Sequence, residues 1–319
     1  MGKGVINRLV LALLTLAACR AEPIRADQRF PAGTPYEAKY VTVDGTRIRY
    51  IEGGGASERG TVILLHGLGA SMYSWRHSLG PVAAAGFRVV AFDNRGFGFS
   101  ERPRAGYTNA DYARLLVALM DSLGVREAVL AGHSMGGAIA AEVALAHPER
   151  VRGLVLVGAA GYGARAPFQL RLARWPVVGG LAVALRGRGS TARVLRAMYA
   201  DPAKVTERDI DQYYAPVATD DYGRALRGAL RQFRCDTLRG RLGTLEIPTL
   251  ALWGERDRVV PVALGRALAT ELLRVAFVVV PGAGHAVHEE APEEVNRLLI
   301  AFLTDGLPRT PENLAGLSP

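Results

Sequence analysis

Residues 128–140 read AVLAGHSMGGAIA: an apolar run, then Ser134 between Gly132 and Gly136, then a further run of small residues. The first four residues have the character of a strand buried on both faces, and residues 136–146 that of a helix. A hydroxyl exposed at so tight a strand-to-helix turn needs neighbours without bulk, because side chains two residues to either side would collide there. Such a turn is not by itself a catalyst. The rest of the chain must supply a base and an acid.

The same alternation runs along most of the sequence. Apolar, β-rich runs at 61–65, 87–92, 128–131, 151–157, 249–253 and 274–280 are separated by helical patterns at about 74–85, 109–123, 136–146, 262–272 and 292–303. Residues 40–43 and 47–52 read as a hairpin about Asp44-Gly45. Strands alternating with helices predict an α/β fold, a mostly parallel central sheet with helices on both faces. Between 160 and 243 no strand pattern is visible, and arginine, short apolar stretches and scattered Gly and Pro predict a helical cap inserted between two strands. Its expected place is over the carboxyl ends of the strands, where open α/β sheets bind ligands. Residues 36–159 and 244–306 are therefore expected to form the core, with 307–319 a flexible tail.

Composition narrows the function. With 319 residues, 49% hydrophobic and 22% charged, the chain is able to bury a sizeable core and is not a disordered protein. The formal charge of +9 is concentrated in the cap region, where residues 160–243 hold 15 Lys/Arg against 7 Asp/Glu. No basic helix-turn-helix or aromatic-basic pattern accompanies it, so nucleic acid is not an expected partner. Two cysteines, Cys19 and Cys235, give no disulfide framework, and no Cys/His/carboxylate group has metal-ligand spacing. Neither metal nor cofactor is expected.

The chain begins with a leader. Lys3 and Arg8 precede the apolar run LVLALLTLAA at 9–18, too short to span a bilayer and of signal-peptide length. Residues 16–19, LAAC, resemble the bacterial lipobox. That resemblance implies a signal peptide over 1–18, lipidation of Cys19 after cleavage, a polar tether at 19–35 and a lipid-anchored place in the cell envelope, with the membrane leaflet open.

A serine hydroxyl needs a base to take its proton, and the base needs an acid to fix its tautomer. Asp257 in LWGERDRVVP and His285 in PGAGHAVHEE each follow a strand, so both are able to converge with Ser134 at one edge of the sheet. Glu255 is a rival acid and His288 a rival base. Gly282 and Gly284, suited to a loop tip, favour His285.

The order Ser134, Asp257, His285, together with HGLG at 66–69 and DNRGFGFS at 93–100 after strands, resembles the α/β-hydrolases with a cap domain. The resemblance runs from about Tyr36 to Leu303. It implies an oxyanion hole from the backbone N–H groups of Leu68 and Met135, with His66 bracing its loop. The aspartate nucleophile of haloalkane dehalogenases and epoxide hydrolases is replaced here by Ser134, and the proline usual in the fourth place of the epoxide hydrolase HG motif by Gly69. The resemblance therefore implies a cofactor-free, esterase- or lipase-like serine hydrolase of carboxylic esters with medium or long acyl groups. Two alternatives stand beside it. One is a hydrolase of carbon–carbon bonds in ring-fission products, weakened by Ala286 where tryptophan often follows the histidine; the other is a non-catalytic anchored binding protein. Within the cap, RLARWPVVGGLAVALRGR at 171–188 reads as a helix lining the substrate tunnel, or alternatively as a segment lying in a membrane interface.

Overall fold

In a computed structural model of the chain, residues 36–55, 59–163 and 187–306 are described. The leader with Cys19, the tether, most of the apolar cap segment at 171–188 and the tail lie outside these residues.

Eight strands form one sheet in the order β1-β2-β4-β3-β5-β6-β7-β8. They are β1 Lys39–Val43, β2 Thr46–Gly53, β3 Thr61–Leu65, β4 Arg88–Phe92, β5 Ala128–His133, β6 Val151–Val157, β7 Thr249–Gly254 and β8 Val275–Val280. Strand β2 runs antiparallel to β1 and β4, and from β4 to β8 all neighbours are parallel. The β1–β2 turn places Asp44 and Gly45 in the left-handed region, φ 47° and 69°, the pair of angles whose twist matches a tight hairpin.

Consecutive apolar residues are explained by the two cores. Val62 and Leu64 point to one face of the sheet and pack with Leu79 and Val82 of α1 (Arg76–Ala84), while Ile63 and Leu65 point to the other. There they meet Leu115 and Leu119 of α2 (Asn109–Ser122) and Ile139 of α3 (Met135–Ala146). A strand covered on both sides has no solvated face on which to carry polar residues. The expected α/β-hydrolase architecture is borne out.

Between β6 and β7 the described residues form three α-helices, α4 Arg188–Met198, α5 Glu207–Val217 and α6 Tyr222–Gln232. Helix α5 starts at a capping box in which the Thr206 hydroxyl accepts from Asp209 N–H and the Asp209 carboxylate accepts from Thr206 N–H. A third apolar cluster joins Ala192, Leu195, Ile210 and Tyr213 of these helices to Ala70 and Ala286 of the core. Those two alanines lie on the HGLG and His285 loops, so the cap sits on the site. After β7 come α7 (Val262–Ala269), the short α8 (Val287–Glu290) after β8, and α9 (Pro292–Asp305), whose Val295, Leu299 and Phe302 fill the first core. Among the described residues no helix is long and apolar enough to cross a membrane.

Candidate active site

Ser134 stands between β5 and α3 with φ 52° and ψ −114°, a left-handed conformation that a residue with a side chain adopts only where the surroundings enforce it. The enforcement is visible in the backbone. Ser134 N–H donates to the Val157 carbonyl at 2.9 Å, and its own carbonyl accepts from Gly137, Ala138 and Ala160. A methyl group on Gly132 would run into the backbone of Gly136 and Gly137, and one on Gly136 into the Leu65 carbonyl. The glycines are therefore required by space. The elbow leaves Ser134 partly accessible while its neighbours His133 and Met135 are buried.

His285 and Asp257 come from the loops after β8 and β7. The His285 Nδ1 lies 2.8 Å from Asp257 Oδ2, with the two residues only 2% and 6% exposed. The second carboxylate oxygen, Oδ1, accepts from the amides of Val259 and Val260 at 2.8 Å each. Two amide donors hold the charge and aim the other oxygen at the imidazole. The turn itself is pinned by buried Trp253, whose Nε1–H donates to the Val260 carbonyl at 2.9 Å. Arg256 N–H donates to the Ala283 carbonyl at 2.8 Å, so the acid loop and the histidine loop are joined along their backbones. The rival acid Glu255 is occupied elsewhere, accepting from Gly282 N–H at 2.8 Å.

The rival base His288 is fully buried, 4.4 Å from the Trp75 ring and 4.5 Å from the His133 ring, and neither of its nitrogens has a partner among the described residues. His133 stacks in turn on His285 at 4.7 Å, and its Nε2–H donates to the His285 carbonyl at 3.1 Å. Burial holds both His133 and His288 well below the usual histidine range, and neighbouring charged or imidazole groups push the same way. Both are neutral supports behind the catalytic candidate.

The HGLG loop passes beside the elbow, since a Cβ on Gly67 would lie 3.3 Å from Ser134 Cβ. His66 braces it: Nδ1–H donates to the Gly67 carbonyl at 2.7 Å and Nε2 accepts from Asn94 N–H at 2.9 Å. This joins HGLG to DNRGFGFS, whose buried Asp93 accepts from Met72 and Phe99 amides. Leu68 thus sits on a braced loop next to Ser134, and Met135 is the first residue of α3, where unpaired amides and the helix dipole favour an anion. Among the described residues no cluster of three or more His, Cys, Asp or Glu has the arrangement to hold a metal ion.

Sequence reasoning missed the residues that fasten the cap. Arg76 contacts both Asp209 of α5, at 2.9 Å, and Glu289 of α8. Tyr73 donates to Asp209 at 2.8 Å, and Tyr213 to Glu289 at 2.6 Å. Glu290 accepts three backbone amides. The polar HEE at 288–290 ahead of a proline was the available signal, but its partners are remote in sequence.

An elbow serine, a carboxylate-held histidine and a braced glycine loop at the carboxyl edge of this sheet define a hydrolase site, and the sequence matches the alpha/beta hydrolase fold family over residues 60–292. The chain belongs to that family and is a hydrolase. It is 31% identical over 274 residues to the uncharacterized hydrolase YugF of Bacillus subtilis, covering 82% of this chain and 96% of that protein. It is 32% identical to the 2-hydroxy-6-oxo-6-phenylhexa-2,4-dienoate hydrolase of Comamonas testosteroni, covering 78% and 89%. Among solved structures, one described as a membrane phospholipase A, a bacterial virulence factor, superposes with a TM-score of 0.74 at 31% identity, covering 96% of this chain and 98% of that one.

Proposed function

We propose that this hydrolase cleaves carboxylic esters with medium or long acyl groups, lipid esters among them, through Ser134, His285 and Asp257. The observation that carries the reading is the Asp257–His285 contact at 2.8 Å beside an elbow that strains Ser134. With Asp257 accepting from Nδ1–H, the Nε2 lone pair of His285 is free to take the Ser134 proton as Oγ attacks the ester carbonyl. The amides of Leu68 and Met135 receive the developing oxyanion, a donor pair of which each member is worth about 3 kcal/mol in the transition state. His285 then protonates the departing alcohol. Water, deprotonated by His285, releases the acid from the acyl-enzyme.

The lipid preference is supported by the likeness to a membrane phospholipase A along 96% of the chain. We propose further that lipidation of Cys19 holds the enzyme at a membrane of the cell envelope, with the arginine-rich cap toward anionic headgroups. Replacing Cys19 by Ser is expected to move the protein from the membrane fraction to the soluble one.

The test of the chemistry is fluorophosphonate labelling, expected in the intact protein and absent from Ser134→Ala, followed by a chain-length series of chromogenic esters. Label retained by Ser134→Ala ends the assignment. The relative from Comamonas testosteroni supports a second reading, hydrolysis of a carbon–carbon bond in a vinylogous diketone acid. Faster turnover of such an acid than of an aryl ester would favour it.

A further inference from the structure

We infer that Glu290 is a positioning residue for His285 and that it makes the cap part of the catalytic apparatus. The inference rests on the reading of His285 as the general base. Glu290 is 4% exposed. Its Oε2 accepts from Gly284 N–H at 2.6 Å and from Ala200 N–H at 3.0 Å, and its Oε1 accepts from Asp201 N–H at 2.8 Å. Gly284 immediately precedes His285, whereas Ala200 and Asp201 belong to the cap segment after α4. One buried carboxylate therefore holds the histidine loop and the cap together.

The residue on the other side of the imidazole is also tied to the cap. Ala286 N–H donates to the Met198 carbonyl at 3.1 Å. Gly284 and the cap backbone are in such close approach that a Cβ on Gly284 would lie 2.5 Å from Ala200 N and 2.7 Å from Met198 O. The Lys204 ammonium closes the arrangement by donating to the Glu290 carbonyl at 3.0 Å. Both amides flanking His285 thus end on Glu290 or on cap backbone, and neither is held by the sheet.

A buried carboxylate is stable only while its donors remain. Two of the three donors to Glu290 come from the cap, so lifting this segment strips most of the partners from a buried charge that also fixes Gly284. Cap seating and imidazole orientation become one event. Without the cap in place, the Ala286 anchor is lost and the Gly284 anchor rests on a carboxylate stripped of its other donors, which loosens the alignment of His285 between Asp257 and Ser134. Glu289, the preceding residue, adds a second clasp to the cap through Tyr213 and through Arg76 to Asp209.

The test uses the full chain and two measurements. In Glu290→Gln the amide NH2 must face a backbone N–H, which loosens one segment while conserving side-chain shape. A displacement of about 1 Å at a reacting group lowers turnover on the order of 10²-fold, so kcat on a soluble aryl ester is expected to fall by that factor with KM unchanged. The downfield proton resonance of the His285–Asp257 hydrogen bond is expected to broaden or vanish. A Glu290→Gln protein that melts earlier yet keeps wild-type kcat and this resonance at the assay temperature would overturn the inference. Should the variant fail to fold, amide hydrogen exchange on the wild type decides: Gly284, Ala286, Ala200 and Asp201 are expected to exchange as one unit. Ala200 and Asp201 exchanging far ahead of Gly284 and Ala286 would equally overturn it. The exchange measurement requires no substrate, so it separates failure of this coupling from failure of the ester reading, which shows as an inactive, unlabelled wild type.

Discussion

Asp257 presents its two carboxylate oxygens to different partners: Oδ1 to the amides of Val259 and Val260, and Oδ2 to His285, 28 residues away in the chain. This division of labour predicts the outcome of Asp257→Asn. The two backbone donors demand an oxygen, so the new NH2 must face Nδ1 and force the proton of His285 onto Nε2. That tautomer cannot accept the Ser134 proton. A fall in kcat of about 10⁴-fold with intact folding is expected, measured as ester turnover at neutral pH. Activity near that of the wild type would remove Asp257 from the triad.

The elbow predicts opposite outcomes for one kind of substitution. Gly136→Ala puts a methyl into the Leu65 carbonyl, whereas at Gly189, in α4, a Cβ meets nothing within 4 Å. Gly136→Ala is expected to lose about 3 kcal/mol, enough to leave little soluble enzyme. Gly189→Ala is expected to gain about 0.5–1 kcal/mol, because alanine loses less backbone freedom than glycine on entering a helix. Urea denaturation of both proteins checks the pair.

Buried histidines set the response to acid. Burial lowers the pKa of His288, and its charged and imidazole neighbours lower it further. The folded protein therefore refuses a proton that the unfolded chain binds near pH 6.5. The stability associated with this group is present above that pH and lost as pH falls below it, by up to about 1.4 kcal/mol per pH unit. His288→Phe retains an aromatic ring against Trp75 and removes two unpartnered nitrogens. Its urea midpoint is expected to equal or exceed the wild type at pH 7 and to fall less steeply toward pH 5. Identical slopes would exclude His288 as the titrating group.

Arg76 is a buried cation between two carboxylates. Burial opposes its charge, and Glu289, Tyr73 and Asp209 more than offset that opposition, so its pKa is raised. Arg76→Met leaves Asp209 and Glu289 without their cation beneath the cap. Breaking one side of a buried ionic network costs about 3–5 kcal/mol, and a loss of that size is expected in chemical denaturation. Replacing Arg188, whose partners Glu207 and Asp211 lie at the surface, is expected to change stability by less than about 1 kcal/mol.

Much of the framework is encoded locally. The doubly buried strands announce themselves as unbroken apolar runs, and the β1–β2 turn as Asp44-Gly45, because those features depend on residues that are neighbours in sequence. Ser134 is legible for the same reason: its glycines lie two residues away on either side and are required by the turn itself. Asp257 and His285 are legible as positions after strands. Gly282 and Gly284 favour His285 over His288, but the choice of Asp257 over Glu255 is not legible, because it depends on which side chain the loop backbone aims inward.

What the sequence determined by itself is the order of strands and helices, the elbow and the candidate acid and base, all consequences of short-range sterics and of apolar patterning. Tertiary structure alone decided that Arg76 would meet Glu289 across 213 residues and that Glu290 would gather amides from Gly284 and Ala200. Buried charges are tolerated only where partners from distant segments converge, and no local pattern records which segments those are.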